Sequence, residues 1–249
     1  MTTTHHTNET VDCCTVPQST HRDPDYTDAG SCCSVPATQT EASEALDEVR
    51  SHQTPPEVAA LRSAGFRLLL EHGEPVTMQR LARDAGLSET EVTDILATHL
   101  QGRVELDDSG RLLGVAGLTV SQTPHQLTVG SKTRWTWCAL DAVGILAALE
   151  ATGSIQSTDP GTGREINIAF TDGQPDNDAA LFILGGYDGG SNVREDWCPL
   201  VNFFSTTHDA KAWVTENKLE GDIVSVTDIT NDAAAMWRPV TDHTSPQVC

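Results

Sequence analysis

The chain has 249 residues, with 36 acidic side chains against 15 basic ones, a formal net charge of −21 at pH 7, and only three lysines, Lys132, Lys211 and Lys218. That balance excludes nucleic acid and anionic membrane as partners, because clustered Lys and Arg are needed to hold phosphate. Aspartate outnumbers glutamate, which reads as a hydrated acidic surface of halophilic type, suited to a salt-rich cytoplasm where screening weakens self-repulsion. No apolar run approaches the roughly 18 residues that span a bilayer. The polar opening, Met1 to Asp12, lacks the charged and apolar regions of a secretory signal. Seven cysteines occur as two adjacent pairs and three singles, which is not the spacing of a disulfide framework. The expected compartment is a reducing cytoplasm.

Residues 1–54 are rich in Thr, Ser, Asp, His, Pro and Gln, and bury too little apolar surface to offset their ordering entropy. They are expected to form a disordered arm. It carries an internal echo, Cys13-Cys14-Thr15-Val16-Pro17 returning as Cys32-Cys33-Ser34-Val35-Pro36. Helical spacing begins after Pro55-Pro56 with Val58, Leu61, Phe66 and Leu69, and Gly73 closes that helix. Thr77 caps a second helix carrying Leu81 and Ala82. Ser88 and Glu91 form a capping box for a third, with Val92, Ile95 and Leu96 on its apolar face. Two helices around a short Gly-containing turn read as a helix-turn-helix. Val104 to Val129 then alternates around Asp107-Asp108-Ser109-Gly110, a hairpin "wing" and a further strand.

In the second half, Asp141 to Glu150 is predicted helical and ends near Gly153. Strands are expected at Glu165–Phe170, Ala180–Leu184, Leu200–Phe204 and Ile223–Val226, with a helix from about His208 to Asn217 and a loose tail beyond about Pro239. The predicted class is α+β. The expected divisions are the arm (1–54), a winged helix-turn-helix-like domain (55–129), a mixed α+β catalytic core (130–240) and a flexible tail (241–249).

Two stretches hold candidate chemistry. In Trp135-Thr136-Trp137-Cys138-Ala139-Leu140-Asp141, Cys138 and Asp141 are three apart and share a face at a helix start. The helix dipole favours the thiolate there, and the adjacent carboxylate opposes it, so the two compete for a proton. In Trp197-Cys198-Pro199-Leu200, the second cysteine precedes an apolar strand. Spacing alone favours the plainer reading, two buried thiols and a helix-start aspartate. No Cys-x-x-Cys or His-x-x-x-His pair supports a closed zinc site.

Together these stretches resemble the organomercurial lyase (alkylmercury lyase) family, in which a Trp-Cys-Ala-Leu-Asp segment opens the core helix and a second cysteine follows some sixty residues on. Here those are Trp137 to Asp141, and Cys198 with its strand through Phe203-Phe204-Ser205. The likeness continues through Asp209-Ala210-Lys211-Ala212-Trp213 and Leu219-Glu220-Gly221 to Ile223-Val224-Ser225-Val226, and with the preceding helices covers roughly residues 57–230. One departure is visible: many members carry a third, structural cysteine after the core helix, and Asp159 stands there.

The resemblance implies protonolysis of R–Hg⁺ to R–H and Hg²⁺. Cys138 and Cys198 become the mercury ligands, soft thiolates for a soft metal, and Asp141 the proton shuttle. It implies no organic cofactor and no resident metal, with low-molecular-weight thiols removing the product and a mercuric reductase as a candidate recipient. Trp135, Trp137 and Trp197 are either a hydrophobic surround for the organic group or plain core aromatics. Cys13, Cys14, Cys32 and Cys33 are possible accessory thiols that capture substrate or accept Hg²⁺, or else form a small metal site or do nothing. Cys249 reads as an unstructured thiol, and His208 as part of a helix start. The rival readings are a mercury- or thiol-responsive helix-turn-helix regulator and a non-catalytic thiol metal-binding protein. The third helix argues against the first, because it offers Glu89, Glu91, Asp94 and Thr98 and no Lys or Arg before Arg103.

Overall fold

The computed structural model describes residues 54–186 and 192–242. The expected arm with its cysteine pairs, and the last residues including Cys249, lie outside the described residues.

Three helices come first. Helix α1 (Pro56–His72) starts on a proline at its first position, where the missing N–H costs nothing. Helix α2 (Met78–Ala85) is capped by Thr77, whose side chain accepts from the Arg80 amide. Helix α3 (Glu89–Thr98) opens on the Ser88–Glu91 capping box. Strands β1 (Val104–Leu106) and β2 (Leu112–Val115) follow as an antiparallel hairpin. Asp107 fixes its tip by accepting from the backbone of Ser109 and Arg111. Up to this point sequence pattern and structure agree element by element.

From β2 the chain makes a two-residue turn into β3 (Leu118–Thr119), then forms β4 (His125–Val129) and β5 (Lys132–Thr136). Strand β3 pairs with β5 through Leu118↔Thr136 and Thr119↔Trp135. With β6 (Gly153–Thr158), β7 (Glu165–Thr171) and β8 (Gln174–Pro175), an eight-stranded antiparallel sheet results, ordered β1-β2-β3-β5-β4-β6-β7-β8. One sheet therefore runs from the first hairpin into the second half of the chain. A second sheet, β10-β9-β11, is built from β9 (Ala180–Leu184), β10 (Asn202–Phe204) and β11 (Gly221–Ser225). Helix α5 (Thr207–Asn217), which includes His208, packs Ala210 and Trp213 against Phe182 and Phe204 of that sheet. The class is mixed α+β.

At the centre lies α4 (Ala139–Ala148), with every residue from Ala139 to Ala147 buried. Apart from Asp141 it is apolar all round, because it is covered all round. Its main neighbour is α6 (Val226–Thr241), capped by Ser225. This corrects the expectations for the C-terminal part. Val226 opens a helix instead of ending a strand, and the helix runs through Pro239 instead of loosening there. The packing between α4 and α6 depends on Gly144, where a Cβ would collide with the Trp237 ring. Gly144→Ala is expected to lower stability by about 1–3 kcal/mol through overpacking, read as a lower urea midpoint at unchanged slope.

Candidate active site

Helix α4 begins with Cys138 as its N-cap. The Cys138 Sγ accepts from the Asp141 amide at 3.4 Å, and the Asp141 carboxylate accepts from the Cys138 amide at 2.9 Å. This is a capping box with a thiol in the place usually held by Ser or Thr. The same spacing of three that puts both groups on one face thus ties each to the other's backbone.

Cys198 reaches this point by a separate route. A single π-helical turn (Val193–Trp197) leads into a 3-10 turn (Cys198–Leu200), and the chain then enters β10. The α4 amide of Ala139 donates to the Val201 carbonyl at 3.1 Å, so the start of α4 draws the Cys198 turn against it. The Trp197 indole donates to the Leu184 carbonyl and fixes the turn to β9. Single π-helical turns recur at functional sites.

The result is one cluster. The ligand atoms of Cys138, Asp141 and Cys198 all lie within 4.8 Å of one another. Both cysteines are free thiols, and the three residues are 0 %, 2 % and 6 % exposed for Cys138, Cys198 and Asp141. The structure brings together all three residues singled out in the sequence.

Burial sets the electrostatics. It pushes the Cys138 thiol well above its usual range, helped by the hydrogen bond to Cys198 and the Asp141 charge. The helix-dipole effect expected to favour the thiolate is outweighed. For Cys198, the hydrogen bond with Cys138 lowers the thiol and Arg194 also lowers it, but burial and Asp141 prevail and the net direction is upward. Burial raises Asp141 to about 6, against the opposing hydrogen bonds from Cys138. At neutral pH the resting site therefore holds two protonated thiols and a carboxylate ready to accept a proton.

The tryptophans divide. Trp137 is buried and its indole donates to Glu105 of β1, while Trp197 is bound as described. Trp135 lines an open cleft of about 620 Å³ with Gln122, Gln126 and Gln156, next to its buried strand neighbours Arg134 and Thr136. It is on the outer side of the sheet and forms no part of a surround for the thiols.

Two residues at the site were missed in the sequence. Gly117, in the β2–β3 turn, places its Cα against Asp141, and a Cβ there would strike the carboxylate. Trp237 of α6 donates to the Ala116 carbonyl at 2.9 Å. The signals were present: Ala116-Gly117 between apolar residues is a two-residue turn. Val226, Ile229, Ala233, Trp237 and Val240 follow a helical spacing of threes and fours.

The alkylmercury lyase family model matches residues 118–238, which contain all three clustered residues. An alkylmercury lyase of Staphylococcus epidermidis is 32% identical over 166 residues, covering 64% of this chain and 74% of that protein. One of Bacillus cereus is 33% identical over 172 residues, covering 66% and 76%. This chain belongs to the alkylmercury lyase family. An alkylmercury lyase of Streptomyces lividans is 29% identical over 177 residues, covering 70% and 79%. The crystal structure of the mercury-bound form of MerB2 matches the fold with a TM-score of 0.69 at 21% identity, covering 81% of this chain and 99% of that one.

Asp159, where a third cysteine was expected from the family, is fully buried and accepts from the amides of Gly161, Thr162 and Ser205 at 2.9–3.0 Å. Burial raises its carboxyl, but those amides prevail and hold it below the usual carboxylate range. It ties the β6–β7 loop to the end of β10, so the local packing has its own fastener.

Proposed function

We propose that this chain is an organomercurial lyase that splits R–Hg⁺ by protonolysis, with Cys138 and Cys198 as mercury ligands and Asp141 as proton carrier. The observation that carries the reading is the cluster itself, two thiols and one raised carboxyl within 4.8 Å in an enclosed site, in a chain of this family.

The chemistry follows from the resting protonation. Mercury is soft and takes thiolate in preference to oxygen. When R–Hg⁺ binds one thiol, the S–H bond breaks, the S–Hg bond forms, and the Asp141 carboxylate takes the proton. That first proton passes on to solvent, and the second thiol then adds in the same way, leaving its proton on Asp141. Electron density from two sulfurs makes the mercury-bound carbon basic, and the Asp141 carboxyl returns a proton to it as the C–Hg bond breaks. The balance is R–Hg⁺ plus two Cys–SH giving R–H, Hg(S–Cys)₂ and one H⁺ to solvent. Two external thiols then exchange onto Hg²⁺ and restore both Cys–SH groups. Low-molecular-weight thiols are the natural partners for that step, and a mercuric reductase is a suitable recipient. On this reading no resident cofactor takes part.

We read α1 to α3 with the β1–β2 hairpin as a winged helix-turn-helix scaffold that has no DNA-reading role, because Glu89, Glu91, Asp94 and Thr98 line the exposed face of α3. Among the described residues no helix is long and apolar enough to cross a membrane, which accords with a cytoplasmic enzyme. The N-terminal cysteine pairs would serve as accessory thiols. Headspace methane from methylmercury with excess thiol tests the function. Catalytic release is expected, whereas a regulator or a metal-binding protein binds mercury and releases none.

A further inference from the structure

We propose that the Ala116–Gly117 turn is a positioning element for the proton-carrying carboxyl, with the bare Cα of Gly117 as the wall that seats Asp141 and Trp237 as the clamp that holds the turn. This rests on the role of Asp141 proposed above. Val115 pairs with Leu118, so only Ala116 and Gly117 connect β2 to β3, and both have positive φ, 52° and 81°. That is the two-residue turn whose twist suits a hairpin. Three separate contacts fix it over the site. The Gly117 carbonyl accepts from the amide of Trp137, the residue before Cys138, at 2.9 Å. The Ala116 carbonyl accepts from the Trp237 indole. The Gly117 Cα itself abuts Asp141, so that a Cβ would lie 2.8 Å from the Asp141 Cβ and closer still to its carboxyl.

Asp141 is thus gripped from two sides. One carboxylate oxygen accepts from the Cys138 amide at 2.9 Å, and the other faces the space that Gly117 leaves vacant. Trp237 also fills the space above Gly144, three residues further along α4, so the clamp packs on the same helix that carries the carboxyl. A methyl group on Gly117 must displace the carboxyl or the turn. Proton delivery to carbon depends on placement to within about 1 Å, where a misplacement costs about 100-fold. The equilibrium affinity of the two sulfurs for mercury rests on their softness and not on this placement.

The test is steady-state turnover of phenylmercury with excess external thiol, comparing the full-length wild type, Gly117→Ala, Gly130→Ala and Trp237→Phe. Gly130 has φ 58° with open space around its would-be Cβ, so its variant reports left-handed strain alone. Gly117→Ala is expected to lower kcat about 100-fold with KM within about twofold, and Gly130→Ala to leave both near wild type. Trp237→Phe keeps the ring but loses the bond to Ala116, and a fall in kcat of roughly three- to tenfold at unchanged KM is expected. It decides the matter should Gly117→Ala fail to fold. A wild-type kcat in Trp237→Phe together with either a wild-type kcat in Gly117→Ala or its failure to fold overturns the proposal, as does an equal loss in Gly130→Ala. A wild-type chain that releases no benzene removes the functional reading and this proposal with it.

Discussion

Cys138→Ser and Cys198→Ser are each expected to release no hydrocarbon from methyl- or phenylmercury above the uncatalysed background, a loss of roughly a thousandfold or more. Serine is the informative replacement. At position 138 it keeps an acceptor for the Asp141 amide, so the cap of α4 survives. What it removes is the soft ligand, and a hydroxyl does not compete with external thiols for mercury. Both positions are nearly or fully enclosed, and serine is close in volume, so the fold is expected to persist. Circular dichroism checks that point, and gas chromatography of the headspace reads the activity. Full turnover in Cys198→Ser would sink the two-thiol scheme, since one sulfur would then suffice.

Asp141→Asn is expected to separate chemistry from binding and from stability. Asparagine still accepts from the Cys138 amide, so the capping box remains. It neither takes up a thiol proton nor delivers one, and the rate of hydrocarbon release is expected to fall by about 10²–10⁴-fold. Mercury remains bound by two sulfurs, whose stoichiometry equilibrium dialysis measures against Cys138→Ser. The same change should strengthen the fold. The Asp141 carboxyl titrates at about 6 in the native protein against an ordinary value of 3.8. Between those values the native state holds a proton that the unfolded chain has released. The group's contribution is therefore fully present below pH 3.8 and is lost as pH rises through 6. At pH 7 the wild type bears that cost, on the order of 3 kcal/mol, and Asp141→Asn does not. His125 works in the opposite direction: burial lowers it to about 4 from 6.5, so the cost of keeping it neutral fades as pH rises through that window. It is common to both proteins, so the difference between their urea midpoints from pH 4 to 7.5 isolates Asp141. A difference that stays flat with pH would show that the carboxyl is not raised.

The first half of the chain was legible because each helix announces its ends. Pro56, Thr77 and the Ser88–Glu91 box mark starts, and Gly73 and Gly86 mark ends. Strands β5 and β6 were not legible, for a physical reason. The buried positions of β5 are Arg134 and Thr136, and β6 buries Ser157 beside Ile155. The Arg134 guanidinium is held inside by donating to the carbonyls of Leu69 and Leu70 at the end of α1, a pairing 64 and 65 residues away in sequence. A hydropathy pattern reads such residues as surface. Helix α6 was hidden by Asn231, Asp232 and Pro239, although its buried face keeps helical spacing. At the site, the spacing of Cys138 and Asp141 was visible, but nothing local links Cys198 to them. That link is a backbone bond from Ala139 to Val201, and only the resemblance to a family supplied the pairing beforehand. Gly117 escaped notice because its role lies in the side chain it lacks.

The central claim is that the carbon–mercury bond is cut by a proton delivered inside the site, and a single turnover in D₂O tests it most directly. Enzyme exchanged into D₂O is mixed with a small deficit of phenylmercury and excess external thiol, and the hydrocarbon is analysed by mass spectrometry. Protonolysis through exchangeable thiol and carboxyl protons predicts benzene carrying one deuterium, released by the wild type and nearly absent with Asp141→Asn. Benzene without deuterium, a phenol, or equal release by Asp141→Asn would contradict it.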